Sequence, residues 1–112
     1  MPNVIKDSTP LIALNFHKAD LVIVDFWAEW CPPCKGMVPT LDQICEQMPN
    51  VKVVKINIDE EPETAERFDI QSIPTFLFFK NDGLEPVRRE VGAMSKKDFE
   101  EIVKSVIKGD KS

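Results

Sequence analysis

The stretch Trp30-Cys31-Pro32-Pro33-Cys34-Lys35 decides the fold and the chemistry of this 112-residue chain. It follows an apolar run at residues 21–28 whose alternating positions are hydrophobic on both sides, as in a central strand covered on each face. A helical pattern starts at Cys34. Two thiols separated by two residues at a strand-to-helix junction can close into a disulfide and reopen, so the sequence favours redox catalysis.

The position of Cys31 favours its ionised form. A helix N-terminus offers unpaired N–H groups and the positive end of the helix dipole, which stabilise a thiolate. An ordinary thiol with a pKa of about 8.5 is roughly 3% thiolate at neutral pH, and a fall of one to two units makes that fraction substantial. Because Pro32 and Pro33 lack N–H groups, the N–H of Cys34 is the nearest donor to the Cys31 sulfur.

Two other interpretations of the cysteine pair are a passive disulfide and half of a zinc site. Zinc normally takes four protein ligands in a structural site, and only Cys45 and His17 remain, with no second pair. We therefore expect no metal. Cys45 lies on the apolar stripe of the helical pattern, so it is interpreted as a small core residue, with a regulatory thiol as the alternative.

Composition limits the remaining classes of function. The formal net charge of −5 argues against nucleic acid or an anionic membrane as the main partner. The apolar runs are too short to span a bilayer, and the first residues lack the basic and apolar regions of a signal peptide. Three cysteines do not suit a disulfide-stapled secreted domain. We expect one domain over residues 1–112, in a cytoplasmic monomer.

The chain also predicts an alternation of strands and helices. Pro39 should kink the second helix, Ser95 should cap the last one with Asp98 three residues later, and Gly109 should end it. The predicted elements are an edge strand at 4–5, a helix from Pro10, strands at 21–28 and 51–58, helices at 34–48 and from Pro62, strands at 76–79 and 87–91 joined by a turn at 81–83, and a final helix. The order β-α-β-α-β-α-β-β-α predicts a three-layer α/β/α sandwich around one mixed sheet.

Motifs along nearly the whole chain, in order, resemble those of the thioredoxin family. The matching residues are 24–31 with Pro33-Cys34-Lys35, Pro39, Lys55-Ile56-Asn57-Ile58-Asp59, Ile73-Pro74-Thr75 and Val91-Gly92-Ala93. Two features depart from the family pattern. The residues between the cysteines are Pro32-Pro33 where the family commonly has Gly-Pro, and the hairpin at 81–90 is a little longer. The Cys-Pro-Pro-Cys form is similar to that of tryparedoxin and nucleoredoxin.

The resemblance implies a thioredoxin-like fold and a protein-disulfide reductase that thioredoxin reductase recycles, with no cofactor beyond the dithiol itself. In thiol–disulfide exchange, Cys31 would attack a protein disulfide and Cys34 would release the mixed disulfide. Two alternatives remain open: an oxidase or isomerase of the same fold, and a non-catalytic binding subunit. The absence of a signal peptide favours the reductase over the oxidase, and the intact cysteine pair disfavours the binding subunit.

Asp25 and Lys55 are the charged residues of the two predicted central strands. Burial would raise the pKa of Asp25 towards the range useful for accepting the proton of Cys34, although periodicity alone favours a solvated strand-end aspartate. The family's buried aspartate falls on Asp25, which favours the base. The family pattern also implies that Lys55 lies near Asp25, either as an ion pair or with its ammonium extended to water.

A substrate groove is implied beside the dithiol. Considered alone, Pro74 could simply mark a sheet edge or a turn. The resemblance instead implies a cis Ile73–Pro74 bond that faces the cysteines and turns the Ile73 backbone towards an extended substrate. Gly92 would leave room for that backbone, and Trp30 would supply a flat apolar contact. The predicted substrate-binding residues are Trp30, Pro32, Pro33, Ile73, Pro74, Gly92 and Ala93.

Overall fold

A computed structural model of the protein describes residues 3–4, 19–80 and 85–109. The strands are β1 (Asn3–Val4), β2 (Leu21–Trp27), β3 (Val51–Asn57), β4 (Thr75–Lys80) and β5 (Arg88–Val91). The helices are α1 (Pro32–Gly36), α2 (Val38–Gln47), α3 (Pro62–Arg67) and α4 (Lys96–Ile107). The five strands form one mixed sheet in the order β1-β3-β2-β4-β5. Strands β1, β3 and β2 are parallel, whereas β4 and β5 are antiparallel to their neighbours.

Strand β2 lies at the centre of the sheet, which explains its continuous hydrophobic sequence. Its alternating side chains enter two different clusters: Leu21 and Ile23 face helices α2 and α4, whereas Val22, Val24 and Phe26 face helix α3. Because side chains alternate along a strand, Asp25 lies on the same face as Ile23. This central strand therefore carries one carboxylate into the layer that supports the dithiol helix.

Helices cover both faces of the sheet, which confirms the predicted three-layer sandwich. On one face, α2 and α4 bury Leu41, Ile44, Phe99 and Val103 against the sheet. On the other, Ala65 of α3 packs with strand residues that include Phe79. Some predicted features lie outside the described residues: the second residue of the edge strand, Ile5, the helix from Pro10, His17 and the turn at 81–83.

The dithiol helix differs from the prediction of a single kinked helix from Cys34 to Met48. It begins earlier, at Pro32, and it is divided at Met37 into α1 and α2. Proline fits the first turn of a helix, since its missing N–H would have no partner there, which explains the early start. A proline also explains the division. Pro39 has no backbone N–H to donate to a carbonyl of the preceding turn, so a new helix, α2, begins there with Pro39 in its first turn.

The final hairpin and helix largely follow the prediction. Strand β5 is a sheet edge, and the N–H of Asp98 donates to Ser95 Oγ (3.1 Å) at the start of α4. Gly109, with φ of +92°, follows the helix end. Of the helices that the structure describes, none has the length and apolar character needed to cross a membrane.

Candidate active site

The two cysteines form the start of helix α1. Cys31 is the N-cap residue and is disulfide-bonded to Cys34, with their Cα atoms 5.3 Å apart. The backbone N–H of Cys34 donates to Cys31 Sγ (3.2 Å). Pro32 and Pro33 occupy the first turn and have no N–H to offer, so the single available amide of this turn points at the Cys31 sulfur.

Both sulfurs are largely enclosed. Cys31 is 5% exposed and Cys34 is 2% exposed, and they pack with Ala28, Ile58 and Ile73. Pro32 and Pro33, by contrast, are exposed at the rim. A partner disulfide that Cys31 attacks therefore has to approach closely along the surface formed by these neighbours.

Asp25 is enclosed in the sheet, on the face of β2 that helices α2 and α4 cover. It is 1% exposed, and neither carboxylate oxygen has a hydrogen-bond partner among the described residues. Burial raises the pKa of its carboxyl from 3.8 to about 7, against the opposing effect of the Lys55 charge. Near neutral pH this group is divided between its two protonation states, as a proton acceptor and donor needs to be.

Lys55 lies opposite Asp25 in the parallel register of β2 and β3. It is only 8% exposed, so its ammonium does not extend freely to water. Its Nζ lies 4.9 Å from the centroid of the Trp27 ring, a cation–π distance. Among the described residues, the ammonium forms no salt bridge with Asp25 within 4 Å. The charge of Lys55 nevertheless lowers the pKa of that carboxyl and so opposes the effect of burial, as an ion pair would.

The loop before β4 lies against the cysteines. The Ile73–Pro74 peptide bond is cis, and the Ile73 carbonyl oxygen is 3.9 Å from Cys31 Sγ. The N–H of Gly92 donates to the Pro74 carbonyl (2.8 Å), which ties the end of β5 to this loop. Gly92 has φ of +100°, a conformation that other residues rarely adopt, and the exposed Ala93 follows it.

Trp30 extends from the rim of the site. It is 64% exposed, and its indole N–H donates to Asp59 Oδ2 (2.8 Å). Asn57 Oδ1 in turn accepts from the N–H groups of Asp59 (2.8 Å) and Glu60 (3.3 Å). No site role was predicted for Asp59 or Asn57. The available signal was that parallel strands β2 and β3 end at the same sheet edge, so the residues that follow them meet there.

The remaining candidate residues lie apart from this site. Cys45 is a half-buried free thiol on α2 that packs against the core, and burial raises its pKa. No cluster of three potential metal-ligating side chains occurs in the part of the chain that the structure describes.

Comparison with known proteins identifies the family. The Thioredoxin family model matches residues 12–105. The thioredoxin of Rickettsia typhi is 47% identical over 79 residues, 70% of this chain and 73% of that protein. The thioredoxin of Chlamydia trachomatis is 43% identical over 88 residues, which are 79% of this chain and 81% of that protein.

Two solved structures show the same fold. A mutant thioredoxin from Halobacterium salinarum aligns with a TM-score of 0.82 at 28% identity, covering 93% of this chain and 88% of its own. Oxidised mitochondrial thioredoxin 3 from Saccharomyces cerevisiae aligns with a TM-score of 0.79 at 29% identity, covering 93% and 94%. With the Cys31–Cys34 disulfide at the helix start, these matches show that the chain belongs to the thioredoxin family and is a thiol–disulfide oxidoreductase.

Proposed function

We propose that the protein works as a reductase of protein disulfides, with Cys31 as the attacking thiolate and Cys34 as the resolving thiol. The observation that carries this proposal is the hydrogen bond from the Cys34 N–H to Cys31 Sγ at a helix N-terminus. In the reduced protein, the same amide would donate to a thiolate, and a charge-assisted hydrogen bond is stronger than a neutral one. The helix dipole acts in the same direction.

The proposed reaction transfers two electrons to the partner. The Cys31 thiolate attacks one partner sulfur, the partner disulfide breaks, and the other partner sulfur leaves as a thiolate. Cys34 then loses its proton and attacks Cys31 Sγ. The mixed disulfide breaks, the second partner thiolate leaves, and the Cys31–Cys34 disulfide remains. The partner is reduced by two electrons and this protein is oxidised by two.

Asp25 is proposed to accept the proton of Cys34 in the second step. Two observations support this role: the carboxyl is buried on the sheet face that α2, the helix following the dithiol turn, covers, and its pKa of about 7 makes the carboxylate available near neutrality. Lys55 would act as a positioning residue. Its buried charge favours the carboxylate form and so offsets part of the effect of burial.

The substrate is proposed to lie in a groove formed by the residues around the cysteines. The Ile73 N–H makes no hydrogen bond within the described residues, which leaves it available to an extended substrate backbone. Trp30 would supply an apolar contact, held in place by Asp59. The proposed groove residues are Trp30, Pro32, Pro33, Ile73, Pro74, Gly92 and Ala93.

We further propose the cellular setting that this reaction needs. A thioredoxin reductase would restore the dithiol, and no bound cofactor would be required, since the cysteines themselves carry the electrons. A single-domain monomer in the cytoplasm suits a carrier that meets many partners. The net charge of −5 disfavours nucleic acid and anionic membranes as those partners.

The redox potential of the Cys31–Cys34 couple tests the direction of electron flow. A reductase should have a potential near or below the cytosolic glutathione poise of about −220 to −260 mV. Equilibration with glutathione buffers, followed by separation of the oxidised and reduced forms, gives the value. A potential above about −180 mV would contradict the reductase and favour the oxidase or isomerase, because about 30 mV changes this equilibrium tenfold.

A further inference from the structure

A cavity of about 400 Å³ lies on the α3 side of the sheet, next to the loop that carries Ile73 and Pro74. It is lined by Asp69, Gln71, Ser72, Thr75, Arg89 and Val91. Ser72 directly precedes Ile73 in the chain, and Val91 directly precedes Gly92. The cavity therefore continues the proposed substrate groove away from the cysteines.

Arg89 supplies the positive charge of this cavity, which the carboxylate of Asp69 also lines. Its Nη2 donates to the Phe68 carbonyl (2.6 Å) and its Nη1 to the Asp69 carbonyl (3.5 Å), at the end of helix α3. These bonds hold the guanidinium in place and leave three of its five N–H groups free. Among the described residues, no carboxylate lies within 4 Å of it: that of Asp69 instead accepts from Gln71 Nε2 (3.1 Å).

We propose that this cavity is a substrate subsite that binds an acidic side chain close to the reacting cysteine of the partner protein. The inference builds on the proposed reductase function and adds a preference among its substrates. A substrate carboxylate would pair with the free N–H groups of Arg89, a geometry that guanidinium groups favour. Val91, which is 57% exposed, would contact the methylene groups of the same side chain.

The reach of an extended chain is sufficient for this pairing. A strand advances about 3.3 Å per residue, so a substrate that pairs with the Ile73 backbone passes Ser72 and Gln71 within two or three residues of its cysteine. Successive side chains point to opposite sides, so alternate substrate positions should differ in their access to the cavity. The overall charge of −5 repels acidic partners at long range, which makes Arg89 a local source of selectivity.

The chain offers a matched control for the test. Arg88 precedes Arg89 on β5 but points to the opposite face of the sheet, where it pairs with Glu90 (2.8 Å) and lines a separate cavity with Asp98 and Glu101. Arg88→Gln and Arg89→Gln remove the same formal charge from adjacent positions. They therefore separate a specific subsite from a general change in the field of the protein.

The test is the reduction of disulfide peptides that carry Glu, Gln or Lys at one of three positions on either side of the cysteine. At one position, wild-type kcat/KM should be about two- to fivefold higher for Glu than for Gln, as expected for an exposed ion pair. Arg89→Gln should reduce that ratio to one, Arg89→Lys should retain part of it, and Arg88→Gln should leave it unchanged. A ratio measured within one variant does not depend on how much of that variant is folded.

Several outcomes would overturn the subsite. Equal rates for Glu and Gln at all positions in the wild type would do so, as would an equal loss of preference in Arg88→Gln. Faster reduction of the Lys peptides than of the Glu peptides would also contradict it, because the carboxylate of Asp69 and not the guanidinium of Arg89 would then determine which side chain the cavity binds. If the wild type reduced none of the peptides, the reductase function itself would fail, whereas reduction without discrimination would remove only the subsite.

Discussion

Cys34→Ser should stop the reaction at a mixed disulfide between Cys31 and the substrate. The first attack needs only the Cys31 thiolate, but release of the partner needs a second thiol in position, and serine does not supply one. Turnover of an insulin-type substrate should fall by at least about a thousandfold, in line with the loss of a reacting nucleophile. A covalent adduct, sensitive to reducing agent, should appear by intact-protein mass spectrometry.

Cys31→Ser should abolish both turnover and adduct formation. The difference between the two serine variants assigns the roles, because only the protein that retains Cys31 can be trapped. Cys45→Ser is the matched control: the same atom is replaced on α2, away from the dithiol, and activity should be kept. Full-speed reduction by Cys31→Ser, or trapping of an adduct by that variant, would show that the roles are wrongly assigned.

Asp25→Asn should slow the second step by roughly a hundredfold, the lower end of the usual effect of a general base. The asparagine amide is of similar size but accepts no proton. In the wild type, the release rate should rise as pH increases through about 7, where the carboxyl ionises. The variant should show no such rise near neutrality. Rapid mixing with a model disulfide, with mixed disulfide followed over time, measures the step directly.

The same substitution should stabilise the fold at high pH. In the unfolded chain the carboxyl of Asp25 ionises near 3.8, whereas in the folded protein it does so near 7. Between these values the folded protein binds the extra proton, so stability falls as pH rises and stays lowest above about 7. The raised pKa corresponds to at most about 4 kcal/mol at high pH, which Asp25→Asn should recover.

Denaturant unfolding of the oxidised protein at pH 4 and pH 8 tests this linkage. The stability gain of Asp25→Asn should be close to zero at the lower pH and large at the higher one. Asp20→Asn is a suitable control, since it removes the same charge just before β2 from an exposed carboxylate, and it should show little change at either pH. An unaltered pH profile for release, with no pH-dependent gain in stability, would remove Asp25 from the mechanism.

The architecture was largely predictable from the sequence, because its strongest signals are local. The apolar run at β2, the helix start at Pro62 and the Ser95 cap each depend on the local sequence, and each is present in the structure. The division of α1 from α2 was missed. A proline predicts that a helix is disturbed but does not say whether it bends or ends, since that depends on packing in the preceding turn.

The contacts of the site were less predictable, because they join residues far apart in the chain. The bond from Trp30 to Asp59 spans 29 residues, and only the parallel register of β2 and β3 brings its partners together. Lys55 lies over Trp27 for the same reason, instead of bonding to Asp25. At strand β5, Val91 and the preceding Val87 are exposed, whereas the charged pair Arg88–Glu90 is half-buried, with Arg88 beside residues of α4.

The pH dependence of Cys31 alkylation in the reduced Cys45→Ser protein is the most direct test of how this protein works. If the Cys34 amide and the start of α1 stabilise the Cys31 thiolate, the alkylation rate should reach half its maximum at or below about pH 7.5. A midpoint near 8.5, the value of an ordinary free thiol, would contradict that claim.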